Sequence, residues 1–335
     1  MAHPLISSSF LEGLSDFVLE RGGDPEDYAR RVGLSRAALH ADNLLVPYLE
    51  HTHLLELVAR EYDTPWLGLE MARRQSVAVF GPLFALMTRS ETVEEGFYLL
   101  ARHLNICVQN LDIQIHLNDD LAVFSAMARN SAIDNSTTFQ DHAMGLAWQN
   151  MQILYGDKCN LRAVYFRHEA PADTSVYTRF FRCPVAFNHP NLELVADARY
   201  VLAPIAESAR QIPHLLRQHL QEKHQGKLTE QVKQIISHHL IMGDCSIHTV
   251  ATAMGFSTRT LQRHLQEQQA TFQQLVEEVR RQQALEYLSS HYYRLTDIAA
   301  LLGYSELSAF TRSFKRWFGI SPQRWRQEWV PSRAS

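Results

Sequence analysis

The feature that most constrains this chain is a short repeat near its C-terminal end. Val250-Ala251-Thr252-Ala253-Met254-Gly255-Phe256-Ser257 and Ile298-Ala299-Ala300-Leu301-Leu302-Gly303-Tyr304-Ser305 align on their glycines. Each is an apolar run at helical spacing, then Gly, an aromatic and Ser. Glycine can adopt the left-handed backbone that stops a helix, the aromatic pins the turn to a core, and serine caps the next helix. Each copy therefore predicts helix, tight turn, helix.

The helices that follow run from Thr258 to Leu265 and from Ser308 to Phe318. Leu261 and Leu265 form one apolar stripe; Phe310, Phe314, Trp317 and Phe318 form the other. The opposite faces carry Arg259, Gln262 and Arg263 in the first copy, and Ser308, Arg312 and Lys315 in the second. Arg and Gln can make paired hydrogen bonds to guanine and adenine edges, while Ser, Thr and Lys suit phosphates or single base contacts. Between the copies, Thr271 to Ser289 holds no Pro or Gly and reads as one connecting helix. About 19 residues at about 1.5 Å each span about 28 Å, commensurate with two recognition helices one DNA turn, about 34 Å, apart. Gly319-Ile320-Ser321-Pro322 then supplies a glycine stop, a serine cap and a proline at the first position of a last helix with Trp325 and Trp329.

Charge follows the same division. The chain carries 32 basic and 36 acidic residues, a net of -4, but from Lys227 onward 13 basic residues face nine acidic ones. The first 226 residues are correspondingly acidic. Between Glu306 and Glu328 there are five basic residues and no acidic one. Such asymmetry is expected where one domain alone meets phosphate.

Taken together, and closing on Gly319-Ile320-Ser321-Pro322-Gln323-Arg324-Trp325-Arg326, these matches resemble the double helix-turn-helix domain of the AraC family of bacterial transcriptional regulators, over about Lys227 to Trp329. The resemblance implies that the first recognition helix reads bases through Arg259, Gln262 and Arg263, and the second through Leu307, Ser308 and Arg312. Thr258 and Lys315 complete the DNA-facing set. Leu307 stands where the family often has a polar residue, so the second helix is expected to lean toward backbone docking and shape reading. The resemblance further implies double-stranded promoter DNA and RNA polymerase as partners, activation, and a homodimer on two half-sites.

A length of 335 residues predicts two domains. Helical patterns dominate the N-terminal part, at Leu11 to Leu19, Pro25 to Val32, Tyr48 to Arg60, Pro82 to Thr88 and Thr92 to Leu104. Alternation through Leu111, Ile113, Ile115 and Leu117, then Asp119-Asp120 and Leu121 to Phe124, predicts a β-hairpin. A helix from Thr137 to Tyr155, a strand at Leu161 to Phe166 and a short strand at Val185 to Phe187 follow. The expected class is α+β, helices on a small, mostly antiparallel sheet, ahead of an all-α C-terminal domain. Phe80-Gly81-Pro82-Leu83-Phe84-Ala85-Leu86-Met87-Thr88, Thr92-Val93-Glu94-Glu95-Gly96 and Arg102-His103 resemble the N-terminal domain of the AraC subgroup that includes ornithine-utilisation and mycobacterial virulence regulators, over about residues 20 to 205. In that subgroup the domain senses a small molecule, mediates dimer contacts, or both. It differs from the cupin-like arabinose-binding jelly roll of the founding member, so no sugar specificity is implied. The expected organisation is 1–205 for sensing or dimerisation, 206–226 as linker, punctuated by Pro213 and His224-Gln225-Gly226, and 227–331 for DNA binding.

With 46% apolar and 20% charged residues the composition is that of a globular protein. No run of about 18 apolar residues and no basic-then-apolar leader is present, so a cytoplasmic protein without a membrane span is expected. Cys107, Cys159, Cys183 and Cys245 lack any paired spacing and read as reduced, buried thiols. His51-Thr52-His53 and His238-His239 lack the spacing and carboxylate partner of a metal site, and no haem role for His103, His116 or His142 is expected, so no cofactor is predicted. Cys107 near His103 has no readable orienting group, and an enzyme is not expected. Arg30 to Ser35 imitates a third helix-turn-helix turn, but its acidic surroundings point to a plain helical corner. Phe80, Phe84, Phe97, Tyr98, Trp148 and Tyr155 are candidates for pocket lining or for core. The expected function is an effector-controlled, sequence-specific transcription regulator. The alternative is an effector-independent regulator whose N-terminal domain only dimerises: a filled, polar-free core would favour it, and a pocket with convergent polar groups would favour the sensor.

Overall fold

The computed structural model describes residues 4–40, 44–80, 82–156, 159–212, 228–241, 245–254, 256–289 and 293–329. The chain divides into two compact units near residue 215. Of the expected linker, 207–212 are helical, while Pro213 and His224 to Gly226 lie outside the described residues.

The N-terminal unit is α+β. Its helices are α1 (Leu14–Leu19), α2 (Pro25–Arg31), α3 (Ala37–His40), α4 (Tyr48–Glu61), α5 (Leu67–Arg74), α6 (Pro82–Met87), α7 (Val93–His103), α8 (Ser131–Asp134), α9 (Thr137–Tyr155), α10 (Ser175–Phe181) and α11 (Ala198–Val201). Strands β1 (Leu5–Ser7) and β2 (Leu45–Pro47) pair antiparallel. A second sheet comprises β3 (Leu111–Asn118), β4 (Leu121–Ala128), β5 (Leu161–Tyr165), β6 (Val185–Ala186) and β7 (Glu193–Asp197), ordered β3-β4-β7-β5-β6. Every pairing in it is antiparallel except β5 with β6. The hairpin and the helix from Thr137 to Tyr155 stand where the patterning places them. The expected single helix from Leu11 to Leu19 does not: a 3-10 turn at Ser8–Leu11 ends before Gly13, whose φ of 83° suits glycine, and α1 starts at Leu14. Strand β7, the centre of the sheet, was not predicted. Its few residues carry too short an alternation to separate from loop, and pairing on both edges makes it a strand.

One face of the sheet is buried, through Ala122, Phe124, Ala126, Leu194, Ala196 and Val164. Helix α9 is the centre of the unit. It is buried on nearly all sides, including Phe139, Met144, Leu146, Trp148, Met151 and Leu154, the pattern of a helix enclosed by its neighbours rather than lying on a surface. Ser136 caps it by accepting from the Phe139 amide, and Gly156 (φ 104°) ends it. Helix α5 packs directly on it. That approach depends on two glycines, since a Cβ on Gly68 would stand 2.4 Å from the Thr138 carbonyl oxygen and one on Gly145 would stand 2.6 Å from Ala72 Cβ.

The C-terminal unit is all α: α12 (Leu228–Ile241), α13 (Ile247–Ala253), α14 (Thr258–Glu267), α15 (Phe272–Ser289), α16 (Leu295–Leu301), α17 (Leu307–Phe318) and α18 (Pro322–Trp329). Val232, Ile236, Leu240, Val250, Leu261, Leu265, Leu275 and Val279 form one core, which joins α12, α13 and α14 to the first half of α15. Ala284, Tyr287, Leu288, Ile298, Leu302, Phe310 and Phe314 are buried beyond it. Gly319 (φ 78°) closes α17, Ser321 Oγ accepts from the Arg324 amide, and Pro322 is the first residue of α18, as the sequence predicts.

Gly68→Ala should destabilise the N-terminal unit by about 1–3 kcal/mol, the usual cost of overpacking, because the nearest obstacle is backbone. Denaturant unfolding of the purified variant checks this; a midpoint equal to that of the parent would show that α5 can move away from α9.

Candidate nucleic-acid interface and interior cavity

The C-terminal unit contains two helix-turn-helix units, α13 with α14 and α16 with α17. In the first, Ser246 Oγ accepts from the Thr249 amide and Ser257 Oγ from the Thr260 amide, each at 3.1 Å. Ser257 is thus the expected cap. Phe256 packs on the core as predicted, while Gly255 lies outside the described residues. In the second, Gly303 has the predicted left-handed backbone, φ 69°. Ser305 is not the cap. The turn is one residue longer, Glu306 occupies the cap position, and α17 begins at Leu307. Counted from the first residue of each recognition helix, Arg263 and Arg312 then fall at the same place, as do Arg259 and Ser308.

Arg259, Gln262 and Arg263 are exposed on α14, and Ser308, Arg312 and Lys315 on α17, while Thr258 and Leu307 are half-buried at the helix starts. Leu261, Leu265, Phe310 and Phe314 turn inward as the stripes predict; Trp317 and Phe318 are half-buried. Arg263 lies 3.8 Å from Glu267, a weak exposed pairing. Ser308 Oγ donates to the Glu306 carboxylate at 2.9 Å, which puts an acid beside the start of the second helix, where a phosphate would be repelled. The first helix has no acidic residue in its first turn.

Sequence reasoning missed the groups that hold the second unit in place. From α15, Arg280 Nε donates to the Leu302 carbonyl at 2.8 Å and its terminal nitrogen to the Gly303 carbonyl at 3.1 Å, with the guanidinium 4.5 Å from the Tyr304 ring centre. One arginine thereby satisfies the end of α16 and grips the turn aromatic. Three residues earlier, Glu277 accepts from Arg316 and from the Trp317 indole of α17. Both lie on the connecting helix, where they read as ordinary surface charge until the fold brings their partners close.

In the N-terminal unit, α4, α7, α9 and the inner faces of β3 and β4 border a cavity of about 70 Å³. Its wall is apolar except chiefly for Tyr48, His51, Thr52, Thr138, His142 and Asn150. Phe80 and Phe97 line it, but Phe84 and Trp148 are core, Tyr98 is 70% exposed, and Tyr155 packs edge-on against Tyr200. A chain of hydrogen bonds fixes part of the polar wall. His142 Nε2 meets Gln75 Oε1 at 2.6 Å, and Gln75 Nε2 donates to the Phe10 and Glu12 carbonyls at 2.7 and 3.2 Å. The Gln75 amide orientation is set by those carbonyls, so His142 Nε2 carries the proton. Asn150 Nδ2 donates to the Leu146 carbonyl at 2.9 Å, while its Oδ1 and His51 Nε2 are buried without a partner among the described residues.

Cys107, Cys159 and Cys183 are buried, and burial pushes the Cys107 thiol up to about 12; Cys245 is only half-buried. The Arg30 to Ser35 corner leads into a four-residue helix, and Arg30 and Arg31 pair with Asp27 and Glu61.

Burial lowers His51 to about 4 and His142 to about 3, with the Phe10 carbonyl opposing the shift at His51. The unfolded chain protonates both near pH 6.5 and the folded chain resists, so the unfolded state binds more protons below that value. Their contribution is complete above pH 6.5 and is lost progressively as pH falls toward 4. The thermal midpoint is therefore expected to drop between pH 7 and 5, and less steeply in His51→Gln; equal slopes in both proteins would remove His51 as a cause.

Two family models match the chain, one in each unit. Residues 22–205 match the family model described as the arabinose-binding N-terminal domain of AraC transcription regulators, and residues 250–328 match a helix-turn-helix domain. The chain is 28% identical over 327 residues to the HTH-type transcriptional regulator VirS of Mycobacterium tuberculosis, covering 96% of each. It is 23% identical over 330 residues to the ornithine utilization regulator of Pseudomonas aeruginosa, again covering 96% of each. The crystal structure of the transcriptional regulator CdpR from Pseudomonas aeruginosa is 20% identical, with a TM-score of 0.41, over 90% of this chain and 96% of that one. Two helix-turn-helix units on one connecting helix, behind an α+β unit matched along most of its length, make this chain a DNA-binding transcription regulator of the AraC family, not an enzyme.

Proposed function

We propose that the chain is a cytoplasmic, effector-controlled transcription activator, with residues 1–205 as sensing and dimerisation domain, 206–226 as linker and 227–331 as DNA-binding domain. In this reading Arg259, Gln262 and Arg263 read base edges in one major groove. Arg312, with Ser308, Lys315 and Leu307, docks in the next, and Thr258 meets the backbone beside the first. A homodimer occupies two half-sites and presents its surface to RNA polymerase. The observation that carries the reading is the exposed Arg and Gln side chains on α14 and the exposed Arg and Lys on α17, both helices being packed on α15. Because Leu307 offers no hydrogen-bonding group at the start of α17, the second helix is assigned mainly to backbone docking and shape reading, with Arg312 and Lys315, farther along the helix from Glu306, as its phosphate contacts.

Effector control is favoured over a purely dimerising N-terminal domain by the cavity, whose wall keeps two buried acceptors unpaired. A ligand that binds one arrangement of the domain more tightly shifts the population toward it, and so changes how the DNA-binding domains are presented.

Anisotropy titrations against a randomised DNA library test the base-reading assignment. Arg263→Ala should cost about 1–3 kcal/mol and relax preference at one position, whereas Lys315→Ala should weaken all sequences alike and lower the salt slope by about one. Uniform weakening by Arg263→Ala would make that residue a phosphate contact instead, and no effect would remove α14 as the reader.

A further inference from the structure

The unpaired atoms of the cavity specify more than its existence. His51 and Asn150 are each only 2% exposed, and both line the cavity. Asn150 Oδ1 can only accept, and its orientation is locked by the Nδ2 bond to the Leu146 carbonyl. Burial keeps His51 neutral, so one of its ring nitrogens is an acceptor, and Nε2 is the one that faces the interior without a partner among the described residues. The Thr52 hydroxyl cannot serve them, because it donates to the Tyr48 carbonyl at 3.0 Å. A buried acceptor without a donor costs about 1–3 kcal/mol, so the cavity is built to receive donors.

The rest of the wall narrows the class. Phe10, Leu55, Phe97 and Phe124 give it an apolar lining that a polyhydroxylated sugar would leave with unsatisfied hydroxyls. A carboxylate would set its charge against two acceptors, with no arginine or lysine lining the cavity among the described residues. The volume, about 70 Å³, is below the roughly 150 Å³ of an engineered cavity that binds benzene, so the occupant is small and a single ring requires a modest shift of the wall.

Resting on the effector reading above, we propose that this cavity takes a small, uncharged, mostly apolar molecule whose hydroxyl or amide N–H donates to His51 Nε2 or Asn150 Oδ1. The acceptors select for the donor, and the apolar wall supplies the bulk of the affinity.

The test uses the full chain at pH 7.5, with binding followed by calorimetry and thermal shift. The probes are phenol, cyclohexanol and benzamide; the controls are anisole and toluene, which have no donor, and benzoate, which is charged. The donor-bearing probes should bind about three- to tenfold tighter than anisole. The preference should fall in whichever of His51→Phe and Asn150→Leu removes the acceptor in use, vanish when the two are combined, and survive in His51→Gln, which keeps an acceptor. Ala147→Leu, which fills the cavity, should block every probe, and it keeps the test decisive if either acceptor variant fails to fold. Equal binding of phenol and anisole, or tighter binding of benzoate, would overturn the donor class while leaving the cavity as the effector site. No binding of any probe, with Ala147→Leu unchanged in stability, would overturn the effector reading itself and leave DNA binding by the C-terminal unit untouched.

Discussion

The N-terminal unit depends on one constraint: α9 is enclosed, so every polar group on it needs a partner inside the protein. Gln140 meets the Asp134 carbonyl and the backbone amides of Arg167 and His168. Asp141 lies between His168 and the Tyr177 hydroxyl, and burial raises its pKa. His142 reaches Gln75. These bonds draw α5, β5 with its following loop, and α10 around one helix, and the glycines at 68 and 145 let α5 come close enough to complete the shell. Asn150 is the exception. Its side-chain oxygen is left open at the place where the packing also leaves space, and the proposed site rests on that coincidence.

The C-terminal unit solves a different problem. Two short recognition helices cannot hold a common orientation by their own packing, since each buries only a few side chains. The connecting helix supplies the rigidity, with Leu275 and Val279 set into the first core and Arg280 and Glu277 clasping the second. The same stretch of helix thus serves both units, Leu275 and Val279 by apolar contact with the first and Glu277 and Arg280 by hydrogen bonds to the second, while Ala284, Tyr287 and Leu288 are buried farther along it. DNA reading demands this, because base edges are recognised only when the side chains arrive in register with the groove.

Legibility in the sequence followed the strength of local signals. The repeat, the connecting helix and the closing Gly319 to Pro322 were readable because glycine, serine and proline act on their own neighbours, and α9 was readable from its length. The exposed faces of α14 and α17 were readable for the same reason: a helical stripe leaves a predictable opposite face. The cap of α17 was misread because one extra turn residue is invisible to an alignment made on glycines. Arg280 and Glu277 were missed because a charge on a solvated helix looks the same whether or not a carbonyl or an indole waits across the gap. Of the cavity, only the aromatic candidates were named, and Phe80 and Phe97 are the ones that reach it.

What the sequence by itself determined is therefore the set of elements that short-range chemistry dictates, together with the family and the DNA-binding role that their spacing carries. The tertiary structure alone decided which polar side chains found partners. His51 Nε2 is left without a partner among the described residues, and Asn150 is satisfied on its amide nitrogen and open on its oxygen, because the helices and strands that border them come from distant parts of the chain. Hydrogen-bond satisfaction is a property of neighbours in space, and no window of sequence contains them.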